Sequence, residues 1–278
     1  MEPEEARRRF AELALGPEEA IDLAEGALLI AVEEQAGLDP SVYLEHLANM
    51  GREAAARLGG DRDPYHAIAV LNRYLFEELG FHGNEEDYYD PRNSYLDQVL
   101  ERRTGLPVTL SLVYMEVARH IGLPLVGIGF PAHFLVKYQG HEGDILLDPF
   151  HQGRVVTEEE CEVLLRNVYG PRARFSREML APIGPKAILA RILKNLEGIY
   201  LRARDYERAY AAVERILLLQ PEAPEETRDQ GLIAFRLGRL PEARRALWRY
   251  LQMRPNARDA EEVRNQLRVI RRLWAMRN

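Results

Sequence analysis

Residues 105–124 read GLPVTLSLVYMEVARHIGLP, and two short blocks follow downstream, PAHFLVKY at 131–138 and LLDPF at 146–150. The first block is dense in apolar residues and opens on Pro107, which suits the first position of a helix because the N–H it lacks has no partner there anyway. A helix is therefore expected from about Pro107 to Ile121, ended by Gly122 and Pro124. Beyond it, LVGIGF, HFLVKY and DILLD read as three strands. The last two are joined by Gln139, Gly140, His141 and Glu142, with Gly143 close behind, which reads as a hairpin turn. A hairpin symmetric about that turn sets Val136 opposite Ile145, Leu135 opposite Leu146 and His133 opposite Asp148. Directly opposed side chains have Cβ atoms about 5 Å apart, so the spacing predicts a His133–Asp148 pair.

Upstream, the first sixty residues read as helices. Pro17-Glu18-Glu19 opens an apolar-periodic run through Ala20, Leu23, Ala24, Ala27, Leu28 and Ala31, and Gly37 and Pro40 break it. Further amphipathic segments follow from Ser41 to Leu58 and from Pro64 to Leu79, stopped by Gly59-Gly60 and Gly80. The stretch FHGNEEDYYDPRNSY is rich in turn formers and too long for a simple connector, and a short helix is expected at Tyr95–Glu101. Downstream, Thr157 followed three residues later by Glu160 is a capping box, so a helix carrying Cys161 should begin at Glu158. Prolines and turn residues between Tyr169 and Pro185 place a domain boundary there, giving domains 1–182 and 183–278.

The second domain repeats itself. Ala209 and Ala243, Arg215 and Arg249, and Pro221 and Pro255 are each 34 residues apart, the period of tetratricopeptide repeats. Two repeats, with turns at 203–206 and 237–240, are followed by a helix from Ala257 to Trp274 that should cap the stack.

Composition narrows the function classes. There is no apolar stretch of about 18 residues to span a membrane, and the acidic start MEPEEARRRF lacks the apolar core of a signal peptide. With Cys161 as the single cysteine, no internal disulfide and no thiolate metal cluster can form, in keeping with a reducing, cytoplasmic location. Net charge is −7, split between 17 basic and 32 acidic residues in 1–182 and 20 basic and 12 acidic residues in 183–278. The basic half suits an acidic protein or peptide partner, or merely presents solvated helix faces. Nucleic-acid binding rests on that charge alone and stands last.

The helix–strand–strand order of the opening blocks resembles the transglutaminase-like superfamily, and the whole chain resembles the bacterial SirB-type proteins. These join a helical amino-terminal region, a transglutaminase-like α+β core and carboxy-terminal tetratricopeptide repeats. NSYLDQVLERRTGLP, GFPAHFLVKY and LLDPF carry the resemblance. It implies that a cysteine should open the helix roughly fifteen residues before a Gly-x-Pro turn, with a histidine as base and an aspartate orienting it. Counting back from Gly122-Leu123-Pro124, that place is held by Pro107, which has no nucleophile. His133 and Asp148 then form a degenerate site.

Ser111 shares a helix face with Pro107 about 6 Å further on and is the one substitute to weigh, although packing is its simpler role. Thr109 is rotated away by roughly 200° at about 100° per residue. Cys161 sits among Glu158, Glu159, Glu160 and Glu162, whose charge should raise its pKa. His66, His82, His120, His141 and His151 show no ligand spacing, so neither metal nor cofactor is expected. The reading is a non-catalytic transglutaminase-like protein acting as an interaction or regulatory module. The alternative is a hydrolase or acyltransferase using the His133–Asp148 pair with a non-cysteine nucleophile.

Overall fold

The computed structural model describes residues 1–131, 133–140 and 143–277. The chain divides into two compact units, Met1–Ile192 and Leu193–Asn278. The division falls inside a helix, later than the proline-rich boundary expected at residue 182.

The first unit begins with α1 (Pro3–Leu15) and α2 (Leu23–Val32). The run expected to start at Pro17 is broken after a single tight turn at Glu18–Ala20, because Asp22 accepts the Glu25 N–H at 2.9 Å and starts a new helix. α2 is buried from Gly26 to Val32, as its nearly continuous apolar sequence requires. α3 (Pro40–Leu58) and α4 (Pro64–Asn72) each open with an aspartate cap followed by proline. The chain continues from α4 through a wider π-helical turn, Arg73–Glu78, where an unbroken α-helix was expected.

Two-residue strands β1 (His82–Gly83) and β2 (Thr104–Gly105), on either side of α5 (Leu96–Arg102), pair in parallel. α6 (Pro107–His120) is buried along nearly its whole length and packs on α3. The approach is close: a Cβ on Gly51 would fall 2.3 Å from His120 Cγ, so α3 needs glycine there.

Against α6 lies a sheet of β3 (Leu125–Ile128), β4 (Leu135–Gly140), β5 (Gly143–Asp148), β6 (Arg154–Val156) and, after α7 (Glu158–Tyr169), β7 (Pro182–Ile183). Its order is β6-β5-β4-β3-β7, all neighbours antiparallel. The sequence suggested only three of these strands. The outer two are three and two residues long and have almost no periodicity to display.

The hairpin register also differs from expectation. Val136 faces Leu147 rather than Ile145, and pairing runs on to Gly140 opposite Gly143, so Gln139 and Gly140 belong to the strand. The remaining turn residues, His141 and Glu142, lie outside the described residues. Because the slip is two residues and side chains alternate with period two, every side chain keeps its face.

α8 (Pro185–Ala203) runs through the boundary between the units. Within the second unit, α9 (Tyr206–Leu219), α10 (Pro224–Arg236) and α11 (Leu240–Met253) follow, then α12 (Ala260–Arg277). The repeated small residues Ala209 and Ala243 are fully buried, which is why the 34-residue period preserves them. The fold is thus a helical amino-terminal region and an α+β core, followed by all-α repeats. Among the described residues no helix is long and apolar enough to cross a membrane.

Candidate functional site

β5 delivers Asp148 at its end, and the bend before β4 delivers His133. Although their backbone positions are diagonal rather than directly opposed, His133 Nε2 lies 3.0 Å from Asp148 Oδ1. Diagonal neighbours across a hairpin remain within reach of a side chain as long as histidine. The contact is close but poorly aligned: Nε2 makes no hydrogen bond of good geometry among the described residues. Both side chains are closed over, with His133 8% and Asp148 2% exposed.

A third residue completes the cluster: His151, which shows no ligand spacing along the sequence. Asp148 caps the tight turn Pro149–His151, which swings His151 back so that its Nδ1 lies 2.7 Å from Asp148 Oδ2. The His151 backbone N–H also points at Oδ1, at 3.4 Å. The signal was present in LLDPFH: an aspartate before proline is a turn cap, and the residue three positions on returns to it. Burial by itself would push the Asp148 carboxyl up, but the His133 and His151 imidazoles outweigh it and hold the group below the usual carboxylate range. Asp148 therefore stays an anion in a buried place.

The surroundings come in part from the long loop after β1 and in part from the Pro149–His151 turn itself. Phe150 stands edge-on to His133 and to His151, with centroids 6.1 Å and 5.1 Å away, and Tyr88 meets Phe150 edge-on from the loop. A Cβ on Gly83 would fall 2.5 Å from Phe150 Cε2, so the loop approaches this closely only because it has glycine there. Glu85 places Oε1 3.7 Å from His151 Nε2. From the other side, Tyr114 of α6 donates to Asn72 Oδ1 at 2.7 Å, and Asn72 donates to the Gly153 carbonyl at 2.9 Å. These bonds tie the 149–153 turn to the helical layer.

The helix start contributes no nucleophile. Pro107 is buried at the first position of α6. Thr109 is committed to closing that helix end: its Oγ1 donates to the Asn93 carbonyl at 2.8 Å and accepts the Leu106 N–H at 2.9 Å. Ser111 is fully buried, and its hydroxyl has no hydrogen-bond partner among the described residues. Cys161 lies in a hydrophobic cluster with Ile128, Leu135, Leu146 and Leu165. Burial first, then the charges of Glu160, Glu158 and Asp148, pushes its thiol up to about 11. Chemically the site offers two imidazoles and one carboxylate whose ligating atoms lie within 4.8 Å of one another.

Comparison with known proteins agrees with this architecture. Residues 41–194 match the family described as the transglutaminase-like superfamily, and residues 196–268 match the tetratricopeptide repeat. A UPF0162 protein of Xylella fastidiosa (strain 9a5c) is 40% identical over 265 residues, covering 92% of each chain. One of Vibrio cholerae is 31% identical over 257 residues, covering 91% of this chain and 93% of its own. Human F-box only protein 21 is 33% identical over 186 residues, which are 63% of this chain and 29% of that protein. The chain belongs to the transglutaminase-like superfamily and, within it, to the family of bacterial UPF0162 proteins.

Proposed function

We propose that this is a SirB-type, catalytically silent transglutaminase-like protein of the cytoplasm, working as an interaction or regulatory module through its repeats. The observation that carries the reading is the loss of the thiol. Pro107 opens the helix where the family frame calls for cysteine, and the single thiol of the chain is buried in a hydrophobic cluster. The hydroxyls on the same helix give no replacement, since Thr109 is spent on the cap and Ser111 is sealed.

Tetratricopeptide repeats generally mediate protein–protein contacts, and the second unit has a surface suited to one. Arg244, Arg245, Trp248, Leu267, Arg271 and Trp274 line a groove of about 570 Å³. Trp248 is 60% exposed and Trp274 44%, a large amount of aromatic surface to leave in water. Arginine beside tryptophan favours a partner that is acidic and carries an apolar or aromatic anchor. These are the only two tryptophans in the chain, so fluorescence excited beyond the tyrosine absorption band reads this groove alone.

The test has two arms. Purified protein should hydrolyse amide and ester substrates no faster than its His133→Ala variant. An acidic, phenylalanine-containing peptide should change the tryptophan emission of the wild type and leave that of the Arg244→Glu/Arg271→Glu variant unchanged. Turnover that depends on His133 would refute the silent reading, and an identical response of both proteins to the peptide would refute the acidic-partner reading.

A further inference from the structure

The geometry points to a site for one divalent transition-metal ion, of the borderline class represented by zinc, held by His133 Nε2, Asp148 and His151 Nδ1. Three observations converge on it. First, the three ligating groups lie within 4.8 Å of one another, with His133 Nε2 to Asp148 Oδ1 at 3.0 Å and His151 Nδ1 to Asp148 Oδ2 at 2.7 Å. Ligands about 2.1 Å from a common ion are spaced roughly 3.0–3.4 Å apart, so small rotations of these side chains suffice to close on a metal.

Second, His133 is more than nine-tenths buried, and its Nε2 has no aligned hydrogen bond among the described residues, although the Asp148 oxygen is near. An ion lying off the His133–Asp148 line meets both the buried nitrogen and the carboxylate head-on, an alignment their direct contact lacks. Third, Glu85 lies 3.7 Å from His151 Nε2. When His151 binds through Nδ1, its Nε2 keeps the proton, and a carboxylate on that side, although beyond direct hydrogen-bond distance, favours that tautomer through its charge.

The donor set selects the ion. Two nitrogens and one carboxylate suit zinc, cobalt(II) or iron(II) rather than magnesium or calcium, which take oxygen. The half-exposed His151 leaves the outer side of the site open to a water molecule or a ligand. The nearest opposing charge is Arg154, whose Nε is 4.0 Å from Asp148 Oδ2, but its guanidinium is engaged by Glu160 at 2.6 Å. The frame that lacks its thiol at Pro107 has thus acquired a third polar group from the other side, through the Asp148–His151 turn.

The inference stands apart from the proposed interaction through the repeats, because metal occupancy is read without any partner. Untagged protein is stripped with chelator and titrated with zinc chloride by calorimetry, and separately with cobalt(II) by visible absorption. Wild type should bind one zinc ion, and cobalt(II) should give ligand-field bands of a histidine–carboxylate site. His151→Ala, a change at a half-exposed side chain that leaves the core packing in place, should weaken zinc by at least about a hundredfold and abolish those bands. His82→Ala should behave as wild type. Absence of stoichiometric zinc binding overturns the proposal, and so does a His151→Ala variant that binds as tightly as wild type.

Discussion

Two buried carboxylates, Asp148 in the first unit and Glu197 in the second, end on opposite sides of the ordinary carboxylate range. At Asp148, in the first unit, burial pushes the carboxyl up but two imidazoles outweigh it, and the group is held low. At Glu197, on α8 in the second unit, burial wins. Lys194 Nζ lies 2.8 Å away, but it is shared with Glu226 and Asp229, whose own charges add to the upward push. The first arrangement keeps a charge inside a closed polar cluster, as a binding site needs. The second is an ion network of stacked helices that would work nearly as well with a neutral amide. Burial alone therefore does not mark a functional acid; what distinguishes Asp148 is the number of partners converging on it.

The largest expected effect tests this contrast directly. Asp148→Ala leaves His133, His151 and the His151 N–H facing an uncompensated space and should cost about 3 kcal/mol. Urea unfolding monitored by amide hydrogen exchange should show the loss in β4 and β5. A cost below about 1 kcal/mol would mean that the cluster is not a built site.

Next comes the close approach of β1 to Phe150 beside the cluster. Gly83→Val drives a side chain into Phe150 and should cost about 1–3 kcal/mol by overpacking, again read by exchange in the first unit.

Glu197→Gln should change stability at neutral pH by less than about 1 kcal/mol in either direction, since Lys194 keeps Glu226 and Asp229. Its pH dependence has a definite sign. The folded-state pKa of Glu197 is raised above the unfolded value of about 4.3, so the stability linked to its proton is complete below that value. It is lost as pH rises through the folded pKa. The variant should therefore gain on the wild type as pH increases from 4 toward neutrality, and a parallel pair of curves would contradict the assignment. Smallest in stability is Trp248→Ala, expected within about 0.5 kcal/mol of wild type because the ring is mostly in water. Its effect should appear only in the fluorescence response to acidic peptides.

What the sequence made legible follows from range. α6, the Thr157–Glu160 cap and the 34-residue repeat are local patterns, and the structure has all three. The His133–Asp148 contact was also foreseen, but through a register two residues off. The length of a glycine-containing turn is not written in its composition, and the two-residue slip preserved the face. β6 and β7 escaped notice because short edge strands are defined by distant partners, Ile128 for Pro182 and Asp148 for Arg154. His151 shows no ligand spacing along the chain, because its partners meet only in the fold. The Asp148–Pro149 turn folds it back onto the same carboxylate that His133 approaches from another strand.

The central claim, that the triad frame survives without a nucleophile, is tested most directly by intact-mass analysis after labelling. The native protein is exposed near neutral pH to iodoacetamide and, separately, to a fluorophosphonate, beside its His133→Ala variant. With Pro107 opening α6, Cys161 buried with its thiol pushed up to about 11 and Ser111 sealed in the helix, the account predicts no adduct on the folded protein with either reagent. A stoichiometric adduct at Ser111 or Cys161 that disappears in His133→Ala would contradict it.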